Sequence, residues 1–304
     1  MPIIYYHNII SSEPDEYDSR ADRMPLETFQ CHMDCLRRRF HPISLPQYLR
    51  QLRDCESDPK AVVVTFDDGC YGVYTHAAPI LRELGIPATV FVVTDIPDAG
   101  EFTILRSDEI EIAFRLTTKL CYTIPSQDNS TYPLVTLTDR MNFMRELKER
   151  LKAMPEERRR HVHKAVLDRL GVSSEQCREY ARSREKYRTL TWDELRELHG
   201  QGWTIGSHTR THRTLGQLDP PAIKAELEGS LGSLRRELGI SEVAFAYPHG
   251  GVADIGPDGA QAVSEAGYSC GLSTLSQTRE EWDNRYVLPR LKFLDIAVCG
   301  KRYK

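Results

Sequence analysis

Short apolar runs alternate with amphipathic helical stretches along most of the chain, and this alternation constrains the fold more than any other feature. The run AVVVTF (61–66) is apolar without interruption, which is typical of a strand covered on both faces. Seven strand candidates follow from such runs: 3–6, 61–66, 88–93, 203–209 with its exit loop, 243–248, 269–273 and 287–293. Repeated strand and helix units predict an α/β fold with a mostly parallel sheet.

The segments between these strands show the spacing and the end signals of helices. Apolar residues recur at helical spacing after Pro25, and a capping box is predicted at Thr191 and Glu194. From 100 to 188 the alternation weakens, and the segment RELKERLKAMPEERRRHVHK (145–164) is highly charged. We interpret 100–188 as a mainly helical insertion with solvated faces. One barrel-like β/α domain (1–304) with this insertion explains the pattern better than two domains do.

Composition and charge narrow the class of protein. The 304 residues carry a net charge of −4, which gives no electrostatic reason to expect a nucleic-acid partner. No segment approaches the roughly 18 apolar residues of a membrane span. The start MPIIYYHNII lacks the features of a secretory leader, so the expected location is cytoplasmic and the eight cysteines are expected to be reduced. A chain trimmed of its leader would look the same, and the sequence is silent on oligomeric state.

Polar side chains follow several of the predicted strands, at the point where each strand ends. Asp67 and Asp68 come directly after the buried strand at 61–66. The other strand-end groups are His7, His208, His212, Tyr247 and His249, and Arg290 lies within the last strand candidate. Because the carboxyl ends of parallel strands meet at one mouth of the fold, these groups are expected to share one pocket.

Two histidines and a carboxylate in this group have the composition of a metal site. His208 and His212 are separated by three residues, a spacing that lets two imidazoles face one point but that also occurs by chance. With a carboxylate they provide two nitrogens and one oxygen and leave a position open for water, as catalytic sites do. A bound cation would also explain the adjacent Asp67 and Asp68, because it lowers the cost of keeping both ionised.

Three motifs, in order, carry a family resemblance. TFDDG (65–69), SHTRTH (207–212) and FAYPHG (245–250), with LPRLKF (288–293) near the end, resemble the motifs of polysaccharide deacetylases of the NodB-homology class, carbohydrate esterase family 4. The resemblance implies a distorted, TIM-like (β/α) barrel of about seven parallel strands. It also implies removal of N-acetyl groups from an acetylated amino sugar in a polysaccharide, an oligosaccharide or a glycoconjugate precursor.

The resemblance also implies a role for each matched residue. Asp68, His208 and His212 would hold one divalent metal ion, and Asp67 would be the general base. The backbone N–H of His249 would help to stabilise the oxyanion. Zinc is the expected ion, while cobalt, nickel and manganese stay open because this donor set accepts several divalent ions. Tyr247 is a candidate for stacking on a sugar.

Two positions depart from the family pattern. Ala246 stands where many members have an arginine that orients the base, and we expect Arg290 to reach Asp67 from the last strand instead. The chain also has no histidine after His249, where many members have a late histidine as the general acid. His7 and His249 are the strand-end candidates for this acid, and a water molecule or Asp67 itself are the alternatives.

Two other functions stay open at this point. One is a carbohydrate-binding protein with the same fold and no turnover, which the two departures favour. The other is a hydrolase of a different C–N amide bond, such as that of a cyclic ureide. The complete set of two histidines and two carboxylates favours an enzyme over a binding module.

Overall fold

The computed structural model describes residues 1–11, 15–18, 22–56, 58–100, 102–124, 130–152, 154–276 and 285–293. The chain divides into two compact units, one made of Met1–Glu101 and Thr189–Lys304 and the other of Phe102–Arg188. The second unit begins and ends close to the predicted bounds of the insertion, 100–188. That the two units form a single domain stays a prediction.

Strands and helices alternate along most of the described chain. The strands are β1 (Ile3–Tyr6), β2 (Asn8–Ile10), β3 (Arg23–Pro25), β4 (His41–Pro42), β5 (Ala61–Phe66), β6 (Ala88–Val92), β7 (Cys121–Thr123), β8 (Thr131–Pro133), β9 (Thr204–Ser207), β10 (Phe245–Ala246) and β11 (Gly271–Leu272). The helices are α1 (Leu26–Arg39), α2 (Leu45–Arg53), α3 (Ala78–Leu84), α4 (Asp95–Asp98), α5 (Arg106–Leu116), α6 (Leu137–Lys152), α7 (Glu156–Leu170), α8 (Ser174–Arg182), α9 (Trp192–Gly200), α10 (Pro220–Leu238), α11 (Val252–Ile255) and α12 (Gly259–Glu265). Val73–Ala77 form a π-helical turn, and Glu185–Tyr187 and Leu215–Gln217 form 3₁₀ turns.

The first unit is built on a curled sheet of seven parallel strands. Its order is β1, β5, β6, β9, β10, β11, and β4 pairs with the start of β5. The segment that follows β11 runs beside both edges of this order: parallel bridges join Leu288 to Leu272 of β11 and Leu291 to Ile4 of β1. The edges of the sheet therefore meet, and the predicted distorted barrel is confirmed.

The strand candidate at 287–293 does not form a continuous strand. The chain contacts the sheet there only through the two bridges at Leu288 and Leu291. Pro289 lies between them and has no N–H to donate to a ladder. The seventh strand of the sheet is β4, whose two residues are too few to show a periodic pattern.

Alternation along the strands separates two apolar layers. Ile3, Val63 and Phe91 belong to a cluster inside the curled sheet, whereas Ile4 and Val64 belong to the larger cluster beneath the helices. Because successive side chains of a strand point to opposite faces, the inward series of β5 continues from Val63 towards the strand's carboxyl end. Polar residues that continue such inward series at the ends of strands therefore reach the mouth of the barrel.

Helix ends follow the predicted signals. Thr191 and Glu194 form the capping box of α9: the Glu194 N–H donates to Thr191 Oγ1 at 3.4 Å, and the Thr191 N–H donates to Glu194 Oε2 at 2.9 Å. Gly85 and Gly239 end α3 and α10 with φ of 64° and 66°, a left-handed conformation that glycine adopts without steric cost. These end signals are local, which is why the sequence alone predicted them.

The second unit packs four helices, α5 to α8, with the antiparallel hairpin of β7 and β8. Glu111 of α5 is buried, and it is neutralised by Arg115 one turn later at 2.9 Å. The Tyr187 hydroxyl donates to the same Glu111 oxygen at 2.8 Å. The mainly helical character predicted for this segment is confirmed.

The described residues also show the state of the cysteines and the length and character of the helices. No disulfide joins those cysteines that lie in the described ranges, while Cys299 lies outside them. In the part of the chain that the structure describes, no helix has both the length and the apolar character that crossing a bilayer needs.

Candidate metal and catalytic site

A cluster of three ligand atoms lies at the carboxyl ends of β5 and β9. Oδ1 of Asp68 is 3.4 Å from Nε2 of His208 and 3.3 Å from Nε2 of His212. The ligand atoms of these three residues all lie within 4.8 Å of one another. The structure thus brings together the three residues predicted to bind the metal.

The hydrogen bond of His208 prepares its ring for coordination. His208 Nδ1 is 2.8 Å from the carbonyl oxygen of Ala246, which can only accept, so Nδ1 carries the proton and Nε2 offers its lone pair. Burial lowers the pKa of His208 to about 4, so the ring is neutral near pH 7. Burial raises the pKa of Asp68, but the hydrogen bond and charge of His212, together with the neighbouring His7 and His208, outweigh burial and lower that pKa well below its usual value. The neutral His208 ring, the His212 ring and the ionised Asp68 carboxylate are a donor set that fits a divalent cation.

Asp67, next to this cluster, is held by Arg290. Nη1 of Arg290 donates to Oδ1 of Asp67 and Nη2 donates to Oδ2, both at 2.7 Å, and both residues are almost completely buried. The third guanidinium nitrogen, Nε, donates to the Ser273 carbonyl oxygen at 3.0 Å. Burial alone would raise the pKa of Asp67, but the charge and the hydrogen bonds of Arg290, with the neighbouring His208 and His7, together outweigh burial and lower it. The predicted contact between Arg290 and Asp67 is present, and it orients the carboxylate while keeping it ionised.

Backbone strain is concentrated at this site. In the described ranges, the residues other than glycine with φ between 54° and 71° are Cys55, Asp68, Thr209, His212 and His249. All except Cys55 belong to the three motif loops. A left-handed conformation costs a residue with a side chain about 1–3 kcal/mol and persists only where its surroundings enforce it, which is typical of functional sites.

His7 approaches both carboxylates from the end of β1. Burial raises the pKa of Asp67 and Asp68, and a positive charge on His7 is one of the influences that lower both pKa values instead. Nδ1 of His7 is enclosed and makes no hydrogen bond within the described ranges. The next strand, β2, lies against the π-helical turn so closely that a Cβ on Gly72 would be 1.9 Å from the Ile9 carbonyl oxygen. Glycine at position 72 thus permits the close approach of the segment that carries His7 to the segment that carries the carboxylates.

His249 and Tyr247 have different positions. The His249 ring is exposed and stands edge-on to the His212 ring at 5.5 Å, so it lies at the site. Thr274 fixes this loop, because its hydroxyl donates to the His249 carbonyl oxygen at 2.5 Å. Tyr247 is fully buried, and its hydroxyl donates to the Tyr286 carbonyl oxygen at 2.8 Å. The prediction that Tyr247 stacks on a sugar is therefore wrong, because its ring belongs to the apolar core beneath the helices.

Some supporting groups were not found from the sequence. The carbonyl oxygens of Ala246 and Ser273 carry no signal, because any residue type provides one. The sequence did contain a signal for Glu226, whose carboxylate accepts a hydrogen bond from the loop that carries His208 and His212. It lies on the same helical face as Ile223 and Leu227, where a charged residue is out of place.

The sequence of the chain matches a family model described as Polysaccharide deacetylase, over residues 54–118 and 159–271. These ranges amount to more than half of the chain. The chain belongs to the polysaccharide deacetylase family. All three metal-binding candidates and Asp67 lie within the matched ranges, whereas His7 and Arg290 lie outside them.

A curated relative is similar to part of the chain, and solved structures share its fold. YxkH of Bacillus subtilis (strain 168), assigned to the polysaccharide deacetylases, is 32% identical over 95 residues, which are 31% of this chain and 32% of that protein. The chain therefore matches about a third of the length of this curated relative. The Streptococcus pyogenes deacetylase PplD, solved in complex with acetate, has a similar fold, with a TM-score of 0.61 and 18% identity over 96% of this chain and 91% of that one. IcaB from Ammonifex degensii gives a TM-score of 0.57 and 17% identity over 96% and 90% of the two chains.

We predict that Arg290→Ala lowers the free energy of unfolding by about 3–5 kcal/mol at pH 7, because it leaves a buried charge without its partner. In the wild type the pKa of Asp67 lies below its unfolded value, so ionised Asp67 adds stability above about pH 4 and this contribution is lost as the pH falls. Without Arg290, burial dominates and raises the folded pKa, so Asp67 opposes folding near pH 7 and ceases to do so once protonated. The stability gap between the two proteins is therefore widest at neutral pH and narrows towards pH 4.

Urea denaturation at pH 7 and pH 4 measures this gap. Arg236→Ala is the matched control, because Arg236 pairs with Asp98 and Glu237 at an exposed position and its loss is expected to change stability little. A gap of equal size at both pH values would contradict the assignment of the Asp67 pKa.

Proposed function

We propose that this protein is a metal-dependent hydrolase that removes N-acetyl groups from an acetylated amino sugar, within a polysaccharide, an oligosaccharide or a glycoconjugate precursor. The observation that carries the proposal is the position of Asp67, ionised and clamped by Arg290, directly beside the ligand cluster centred on Asp68. Membership of the polysaccharide deacetylase family supports the acetylated carbohydrate as substrate.

Asp68, His208 and His212 would hold the metal through Oδ1, Nε2 and Nε2. A divalent cation in that position supplies Lewis acidity, which lowers the pKa of a water molecule and polarises a carbonyl group. Three protein ligands leave room for water and substrate, as in catalytic rather than structural zinc sites. Zinc is the first candidate, and cobalt, nickel and manganese suit the same donor atoms.

Asp67 acts as the general base in this mechanism. Both of its oxygens accept hydrogen bonds from Arg290, so the carboxylate keeps one orientation and stays ionised. It takes a proton from the attacking water as the new bond to the acetamide carbonyl carbon forms. The tetrahedral centre then expels the sugar amine, which must receive a proton as the C–N bond breaks, and acetate is the other product.

His7 is our proposal for the group that protonates the amine. His7 is one of the groups that lower the pKa of both carboxylates, so it lies close to the reacting end of the site, and its enclosed Nδ1 makes no hydrogen bond in the described part of the chain. His249 is exposed and stands at the His212 side, where its loop borders the position expected for the oxyanion. This division of roles follows the chain's lack of a histidine after His249.

The test is acetate release from N-acetylglucosamine oligomers by the zinc-loaded protein and by Asp67→Asn. We expect the variant to keep one metal per chain and to lose about 10²–10⁴-fold in kcat, because it removes only the base. Asp58→Asn is a matched control, since Asp58 contacts His41 at the far end of β5. Metal binding without acetate release from any acetylated sugar would contradict the proposal and favour a binding protein; release of another product from a cyclic ureide would favour the other hydrolase.

A second test separates the acid from the base. The substrate 4-nitrophenyl acetate releases 4-nitrophenolate, a good leaving group that needs no protonation. A sugar amine cannot leave without receiving a proton. We predict that His7→Gln lowers kcat about 10²–10⁴-fold on the acetylated sugar and less than about tenfold on the aryl ester. Asp67→Asn is expected to lower kcat on both substrates. The exposed His41→Gln serves as the control. Equal losses of His7→Gln on both substrates would show that His7 is not the acid.

A further inference from the structure

Glu226 is a buried carboxylate on the apolar face of α10. Only 4% of its surface is exposed, and its neighbours along that face, Ile223, Leu227 and Ser230, are buried as well. Burying a charge is costly unless the charge is paired and hydrogen-bonded. A charge at this position therefore needs compensating contacts.

In the described part of the chain, the hydrogen bonds and the ion pair of Glu226 go to the loop that carries the two histidines. The Thr211 N–H donates to Oε2 at 2.8 Å, and the Thr211 hydroxyl donates to Oε1 at 2.6 Å. The Arg213 guanidinium lies 3.7 Å from Oε1. Thr211 and Arg213 are the residues on either side of His212, so the carboxylate holds the loop at the point where that ligand projects.

This loop needs external support. Thr209 and His212 have φ of 64° and 61°, conformations that a residue with a side chain adopts only when its surroundings enforce them. The start of the loop is fixed by the Thr94 N–H, which donates to the Thr209 carbonyl oxygen at 3.3 Å, and by the Arg210 pair with Asp95 at 2.7 Å. At the other end of the loop, Glu226 binds Thr211 beside His212, and the Arg213 N–H donates to Thr209 Oγ1 at 3.1 Å.

We propose that Glu226 is a positioning residue for the metal site: by binding Thr211 through two charge-assisted hydrogen bonds, it holds His212 where its Nε2 can coordinate together with Asp68 and His208. An ionised carboxylate suits this task because it accepts from the N–H and the hydroxyl at once, and such bonds are about twice as strong as neutral ones. The inference rests on the proposed function, since it concerns the same metal site.

The experiment compares zinc affinity, the cobalt absorption spectrum and the metal-free melting temperature across a variant series. Glu226→Leu removes both acceptors, and we expect zinc affinity to fall about 10–100-fold, as it does when groups supporting a ligand are lost. Glu226→Gln keeps one acceptor oxygen and is expected to fall between Glu226→Leu and the wild type. Thr211→Val removes the hydroxyl contact and keeps the N–H contact. Its zinc affinity is therefore expected to fall only a few-fold. Glu228→Gln, an exposed change on the same helix, is expected to leave affinity unchanged.

The cobalt spectrum distinguishes positioning from general stability. If His212 is displaced, the intensity of the visible bands changes in Glu226→Leu and is partly restored in Glu226→Gln. A lower melting temperature with unchanged zinc affinity and spectrum would overturn the inference and leave Glu226 a structural residue. If Glu226→Leu does not fold, Glu226→Gln and Thr211→Val decide by the same two readouts. If the wild type binds zinc and every variant binds it equally well, this inference alone is overturned. If the wild type binds no metal, the proposed metal site is overturned as well.

Discussion

The bidentate contact between Arg290 and Asp67 is the interaction on which the site depends. Two adjacent carboxylates end a buried strand, and without a counter-charge the inner one would take up a proton. The counter-charge comes from a residue 223 positions away in the sequence. Leu288 and Leu291, the residues that bring the sheet edges together, flank Arg290. Closure of the barrel and ionisation of Asp67 are thus consequences of the same short segment.

The histidine side of the site is organised by other groups. His208 and His212 come from one loop, and each is held through a different group. The Ala246 carbonyl oxygen sets which nitrogen of His208 carries the proton, and Glu226 supports the backbone beside His212. Arg290 therefore prepares the base, and Ala246 and Glu226 prepare the two histidine ligands. The same loops hold the left-handed residues, so the strain lies where the ligands have to converge.

Much of this arrangement was predictable from the sequence, because it depends on patterns that extend over several residues. Uninterrupted apolar runs identified β5 and β6, and local end signals identified α9 and α10. Shorter features escaped: β4 has two residues, and Pro289 limits the last segment to isolated bridges. Neither leaves a periodic trace in the sequence.

The wrong prediction for the Tyr247 side chain has a simple physical cause. Ala244 and Ala246 face the inside of the barrel, so the alternation of the strand directs Tyr247 to the opposite, helix-facing side. Lying within the motif FAYPHG did not place its ring at the mouth of the barrel. Glu226 shows the reverse case: it lies outside the three motifs, yet its position on the apolar face of α10 buries its charge beside the histidine loop.

The central claim is that Asp68, His208 and His212 form one metal site, and metal content tests it most directly. The measurement is the number of divalent ions per chain after zinc loading and exhaustive dialysis, for the wild type and for Asp68→Ala, His208→Ala and His212→Ala. We predict about one ion per chain in the wild type and loss of that ion in each variant, as three-ligand coordination requires. A wild type that retains no zinc, cobalt or nickel, or variants that retain as much metal as the wild type, would contradict the account.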